Sequence, residues 1–336
     1  METKRIQSLI SQNAIYIVLV LLIVAIAIYD PTFLGLGPLR DVLNQSSTRI
    51  IIALGVAFIL ITGGTDLSAG RIVGLTAVIS ASMLQMTDYT HKFFPDLGKI
   101  NILLPIALAI LVGLIFGLIN GVIVAKFKVP PFIATLGTMV AVYGVNSLYF
   151  DMDPNNSQPI GGLRKDFKEI FGTGSVGFGG FSIPNIVIIA IIVAVLVWVV
   201  FNKTKLGKNM YAIGGNQQAA KVSGINVGKN LIYIYMIAGA LYGLAGVLEA
   251  ARTGGATNNY GNMYELDAIA ACVVGGVSTT GGIGTVPGVV TGVLIFTVIN
   301  YGLTFIGVSP YWQLIIKGSI IVAAVAFDMR KYAAKR

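Results

Sequence analysis

Apolar residues run along this chain in blocks of roughly 17 to 25, the length a helix needs to cross about 30 Å of hydrocarbon, and polar residues gather between the blocks. The pattern predicts ten transmembrane helices, near residues 14–29, 49–63, 67–87, 102–125, 130–150, 182–201, 230–251, 265–280, 285–307 and 311–327. The basic start Met1–Arg5, with an apolar run and Ala25 and Ala27 behind it, has the form of a signal peptide; the spans that follow make it an uncleaved anchor. Segment 151–181, rich in Gly, Asn and Asp, separates five spans from five and is the longest outer connection, while 202–229 is the longest inner one. The expected fold class is an all-α polytopic membrane protein with a single transmembrane domain.

The two halves repeat. Leu114, Ile115, Phe116, Ile119 and Asn120, with Val129, Pro131 and Phe132 beyond, recur as Leu294, Ile295, Phe296, Ile299 and Asn300, then Val308, Pro310 and Tyr311. One span earlier, Asp66, Ala69, Val73 and Gly74 have counterparts in Asp267, Ala270, Val274 and Gly275. A shift of five spans is odd, so matched helices run in opposite directions: the expectation is two inverted repeats, about 14–150 and about 182–327. Glycines four apart in the fourth span (Gly113, Gly117, Gly121) and the ninth (Gly284, Gly288, Gly292) predict close helix packing.

Composition excludes a soluble enzyme. Of 336 residues 55% are hydrophobic and 11% charged, against about 25% charged in an ordinary globular domain, and mean hydropathy is +0.83. The net charge of +9 comes from basic residues in short connections without interleaved aromatics, so it speaks for orientation and not for nucleic acid. Placed with the start inside, the inner segments hold Lys4, Arg5, Arg71, Lys126, Lys128, Lys203, Lys205, Lys208, Lys221, Lys229, Arg330, Lys331, Lys335 and Arg336. The outer segments hold fewer, Arg40, Arg49, Lys92, Lys99, Arg164, Lys165, Lys168 and Arg252, which puts both termini in the cytoplasm.

Candidate chemistry is sparse. No GxxxxGK[ST] sequence occurs, so the chain does not itself hold ATP in a P-loop. Gly172, Gly174 and Gly177 match GxGxxG without a surrounding βαβ unit, and His91 stands apart from any metal-binding or catalytic cluster. Cys272, the single cysteine, reads as a packing residue. No catalytic group, cofactor or metal site is expected. The spans are nearly empty of ionisable groups; Lys317 is the clear exception, with pairing or snorkelling as its ordinary reading. Asp66, with Ser68 two residues on, and Asp267 sit where helices begin, and capping accounts for them; a place in a transport pathway is the alternative. Glu249 and Arg252 are spaced for a local ion pair. Gly275, Gly276, Gly281 and Gly282 interrupt the eighth span, which places the translocation route near it. Asn258, Asn259, Tyr260 and Tyr264, expected at its outer mouth, suit a neutral polyhydroxylated solute. In 202–229, Asn216 reads as an N-cap and Gly224 as a stop around a two-turn helix of Gln217, Gln218, Ala219, Ala220, Lys221, Val222 and Ser223. A short rigid inner helix between two membrane halves is a lever for a partner.

Four runs together resemble a known family: GGTDLSAG (63–70), PPFIATLGTM (130–139), GNQQAAKVSGINV (215–227) and YELDAIAACVVGGVSTTGG (264–282). They are similar to the permeases of bacterial ribose-type sugar ABC importers, and the likeness covers essentially the whole chain. RIIIALGVAFILITGGTDLSAGR and the stretch from TGVLIFTVINYGLT to SPYWQLIIKG look closest to the galactose-importing branch of that family. The resemblance implies a homodimer in the bacterial inner membrane, a periplasmic galactose-binding protein, and a cytoplasmic ATPase with two fused ABC domains that holds ATP and magnesium. It implies that Asn216 to Gly224 form the helix coupling the permease to that ATPase, and an architecture similar to the vitamin B12 importer permease. An ion-coupled carrier, a passive channel or scaffold, and a permease for another monosaccharide such as ribose or xylose are the competing readings.

Overall fold

The computed structural model describes residues 14–178 and 181–333. The basic start Met1–Arg5 and the tail residues Lys335 and Arg336, used above for orientation, lie outside the described residues. The chain is helical: α1 (Ala14–Tyr29), a 3₁₀ turn (Pro31–Leu34), α2 (Leu36–Ile61), α3 (Ala69–Met83), α4 (Leu103–Lys126), α5 (Pro131–Phe150), α6 (Lys165–Phe171), α7 (Asn185–Lys203), α8 (Lys205–Gly215), α9 (Gln217–Val222), α10 (Val227–Thr253), α11 (Tyr264–Val274), α12 (Val286–Phe305) and α13 (Pro310–Ala333). Among the described residues six helices, α2, α4, α5, α7, α10 and α12, are long and apolar enough to cross a membrane. α3 and α11 are only 15 and 11 residues long, about 22 and 16 Å, so neither crosses the hydrocarbon alone.

α2 and α10 form the centre. Every residue of α2 from Ile50 to Ile61 is buried, and α10 packs along α4, α3 and α2. α4 and α7 keep one apolar face outward, with Leu103, Leu111, Ile191 and Leu196 exposed, as lipid-facing helices do. The glycine stripes explain how the centre closes. A Cβ on Gly113 would strike the carbonyl of Gly239, and one on Gly117 that of Tyr235, so α4 and α10 touch backbone to backbone. In the second half Gly288 and Gly292 stand likewise against Gly275 and Ala271, joining α12 to α11. Gly117→Leu therefore overpacks the centre by about 3 kcal/mol, the upper end of the usual range, and the expected result is loss of the monodisperse peak in detergent gel filtration.

Several boundaries differ from the hydropathy reading. α2 begins thirteen residues earlier than the predicted 49, because Arg40, Asp41, Asn44 and Gln45 lower hydropathy without breaking the helix. Arg49 is thus inside a helix and not in a loop. The eighth span ends at Val274; Gly275 caps it, and Gly276, Gly281 and Gly282 take positive φ in the turn that follows. The matched prolines Pro131 and Pro310 open α5 and α13, yet Asp66 precedes α3 while Asp267 lies within α11, so that pair is not equivalent in position.

The outer segment 151–181 was expected as a loop and instead holds α6 and the antiparallel hairpin of β1 (Ser175–Phe178) and β2 (Phe181–Pro184). The GxGxxG glycines fall at the end of α6 and in β1, a setting with no dinucleotide fold. Arg164 ties this segment down: Nη2 and Nε donate to the Asp166 carboxylate at 2.6 and 3.1 Å, and Nη1 donates to the Ile100 carbonyl at 2.6 Å. The Arg164 bonds hold the Asp166 carboxyl below the usual carboxylate range. A lowered folded pKa contributes stability above the unfolded value of about 3.9 and loses it as pH falls through the folded one. Limited proteolysis of the outer segment is therefore expected to be unchanged from pH 7 to 5 and to accelerate only below about pH 4.

Candidate functional site

The inner face is built from local signals. Thr204 caps α8 by accepting from the Gly207 amide at 3.2 Å, and Asn216 both ends α8 and caps α9, its Oδ1 accepting from Ala219 N at 2.9 Å. Gly224 at φ +84 turns the chain out, and the Ile225 amide closes on the Ala220 carbonyl at 3.0 Å. α8 was not anticipated within 202–229; the Thr204 cap was its signal. Gln217, Gln218, Ala219, Lys221, Ser223 and Gly224 are exposed, while Ala220 is buried against the core and fastens the helix down. Val222 is 90% exposed, an apolar side chain standing free on the tip of the helix.

The α8–α9 junction rests on the membrane core. Gly214 is packed so tightly on the Ile61 carbonyl and Gly282 that no side chain fits, and Gly282 N donates to Ile61 O at 2.8 Å. Tyr211 donates its hydroxyl proton to the Gly284 carbonyl at 2.8 Å. The α8–α9 junction is thus joined to the end of α2 and to the glycine turn after α11. Beside α9 a cavity of about 700 Å³ opens, lined by Gly63, Lys128, Pro131, Gln217, Lys221 and Tyr235 among others.

Behind this face, Asp66 and Ser68 lie in a buried polar knot. Asp66 Oδ1 accepts from the Ser68 amide at 2.8 Å and from its hydroxyl at 2.6 Å. Asn120 Nδ2 donates to Ser68 Oγ at 2.9 Å, and Thr138 donates to Asn120 Oδ1 at 2.6 Å. The Thr135 hydroxyl accepts from Leu67 N at 3.0 Å. The knot pins the 62–68 turn to α4 and α5, and it brings together two motifs that the sequence reading kept apart. Asn300, the repeat counterpart of Asn120, finds no protein partner for either amide atom.

The residues expected at an outer mouth are distributed differently. Asn258 and Tyr260 are half-buried, Asn259 is exposed, and the Asn258 carbonyl accepts from Asn146 Nδ2 at 3.2 Å. Tyr264 points inward: its hydroxyl donates to Glu249 Oε1 at 3.0 Å and its ring lies 5.0 Å from the Arg49 guanidinium. Glu249 also pairs with Arg252 at 2.7 Å and accepts from Thr48 at 2.9 Å. Asp267 is held by two cations at once, Arg49 at 2.8 Å and Lys317 at 3.2 Å. The helices are therefore not nearly empty of charge: Arg49, Arg71, Glu249, Arg252, Glu265, Asp267 and Lys317 all sit within them. The sequence reading counts Arg49 with the outer segments and Arg71 with the inner ones, although they fall within the predicted spans 49–63 and 67–87. Gly275 and Gly276 lie where α11 stops, on the inner side of this charge chain. Cys272 is buried and its thiol donates to the Ala53 carbonyl at 3.2 Å. Among the described residues no group of three or more His, Cys, Asp and Glu side chains is placed to hold a metal ion.

Known proteins match along the whole chain. The family model described as the branched-chain amino acid transport system / permease component matches residues 39–325. The galactose/methyl galactoside import permease protein of Haemophilus influenzae is 57% identical over 336 residues, 100% of this chain and 99% of the relative. Its namesake in Escherichia coli is 55% identical over the same share of both chains. The ribose import permease protein of Escherichia coli is 37% identical over 94% of this chain and 92% of its own. No solved structure matches. With a bundle of apolar helices, a capped helix standing off the membrane core and relatives matched end to end, the chain belongs to this family of membrane permeases, the transport subunits of bacterial ABC importers.

Proposed function

We propose that this chain is the permease subunit that moves galactose and methyl galactosides from the periplasm to the cytoplasm, driven by a partner ATPase. The carrying observation is the full-length identity of 57% and 55% to two permeases named for those sugars. The ATPase, with two fused ABC domains, binds ATP and magnesium and receives α9. A periplasmic galactose-binding protein docks outside and sets most of the selectivity, and two copies of the chain enclose one path in the inner membrane, with both termini cytoplasmic.

Ten crossings in two inverted five-helix repeats, similar to the vitamin B12 importer permease, complete the reading. Packing supports it, since helix pairs that exchange under the repeat are both in contact: α4 on α10 and α12 on α2, α3 on α10 and α11 on α2, α3 on α5 and α11 on α13. In this scheme α3 and α11 are the broken spans, completed by the irregular chain before or after them. The cycle is rigid-body: ATP binding moves α9, and the contacts at Gly214, Ile61 and Gly282 rock the two copies between outward and inward openings.

The test is uptake of labelled galactose into vesicles holding this chain, its ATPase and the binding protein. Uptake that needs ATP hydrolysis supports the proposal. Uptake without ATP overturns it in favour of an ion-coupled carrier, the reading to which the charges within the helices would lend themselves. ATP-driven uptake of ribose or xylose but not galactose corrects only the sugar.

A further inference from the structure

One cluster is used by nothing above. Arg71 Nη2 donates to Asn262 Oδ1 at 2.7 Å, and the guanidinium lies 4.3 Å from the centre of the Tyr143 ring. Tyr143 is twelve residues from the Pro131 end of α5 and Arg71 twelve from the Met83 end of α3, so each is about 18 Å along its helix from that end. The arginine therefore sits near the bilayer midplane, where the sequence had placed it in an inner segment. The connection 254–263 reaches the same depth from the outer side. Gly70 and Gly74 are packed against the carbonyls of Gly261 and Tyr260, leaving no room for a side chain.

This face is open on the single subunit. Tyr143 is 41% and Met263 45% exposed, and Asn259 and Asn262 are exposed as well. Lipid is an impossible neighbour for it, because irregular backbone, two exposed amides and a guanidinium at mid-depth would face hydrocarbon unsolvated. The lipid-type surfaces of α4 and α7 offer the contrast, with apolar side chains at that depth.

Resting on the sugar-permease reading, we propose that the sugar crosses the midplane along this face, with Arg71, Tyr143 and Asn262 as the protein groups that contact it and a second copy of the chain as the opposite wall. The chemistry fits a neutral polyhydroxylated solute. The accessible edge of the Arg71 guanidinium, whose Nη1 is buried without a partner, and the exposed amides bond hydroxyls, the exposed part of the Tyr143 ring takes an apolar sugar face, and Glu265, buried against Gly70, stays out of the passage.

The assembled transporter in proteoliposomes tests this through single cysteines, Asn262→Cys on this face and Leu111→Cys on the apolar face of α4; the native Cys272 is fully buried. Expected is reaction of Asn262→Cys, and not of Leu111→Cys, with a charged water-soluble thiol reagent. Reaction of Asn262→Cys only with a lipid-soluble maleimide overturns the proposal. In parallel, Arg71→Gln removes a charged hydrogen bond to the sugar, and galactose uptake falls by about tenfold or more while ATP hydrolysis stimulated by the binding protein persists; unchanged uptake also overturns it. If wild-type vesicles take up no galactose while Asn262→Cys still reacts with the charged reagent, the sugar reading fails and the aqueous passage stands.

Discussion

Val222→Asp abolishes ATP-driven galactose uptake while leaving the permease folded in the membrane. Val222 is 90% exposed on α9, so the substitution disturbs no internal contact, whereas Ala220 on the same helix is buried and a large residue there would unseat α9 itself. An apolar side chain held out on a rigid capped helix is the kind of anchor a partner's pocket takes up. A carboxylate carried into an apolar pocket costs several kcal/mol, enough to lower coupled transport by more than about a hundredfold. The check is uptake together with co-purification of the ATPase and the apparent melting temperature of the purified permease. Uptake at the wild-type rate would remove α9 from the coupling path.

Asp267→Ala produces the second large effect, on stability. The carboxylate is the shared partner of Arg49 on α2 and Lys317 on α13, and removing it leaves two cations facing each other in the helix bundle. Loss of one partner from a buried pair costs about 3–5 kcal/mol; these side chains keep 14–24% exposure, which places the loss near the lower figure, about 3 kcal/mol. Thermal unfolding in detergent is expected to shift down by several degrees. The triple replacement Arg49→Met, Asp267→Leu and Lys317→Met removes all three charges, and it is expected to recover most of the lost stability, because well-packed apolar groups replace buried charges at little cost.

Much of this was legible along the chain. Blocks of apolar residues announce helices because each must bury or expose a whole face to lipid, and a helix overlaps each predicted block, but among the described residues only six are long and apolar enough to cross a membrane. Asn216 and Gly224 were readable because capping acts within a few residues. The glycine stripes were readable as packing surfaces, although not that Gly113 and Gly117 meet α10 while Gly288 and Gly292 meet α11. The errors have one origin. Arg49 and Arg71 were counted with the connections because a charge is costly in lipid and the sequence does not show Asp267 or Asn262 across the bundle. A hydropathy window also passes over α8 and the outer hairpin, which are too polar to register.

The sequence by itself determined that this protein lives in a bilayer, roughly where its apolar helices lie and that a short capped helix follows Asn216, because each of these rests on composition or on chemistry between near neighbours. Depth and partnership were decided only by the tertiary structure. α3 and α11 stop short of a full crossing, the chain at 254–263 descends to meet Arg71, and Asp267 joins α2 to α13 across hundreds of residues of sequence. Contacts of that kind depend on how closely backbones approach at the glycine stripes and on where each helix breaks, and a one-dimensional pattern carries neither quantity.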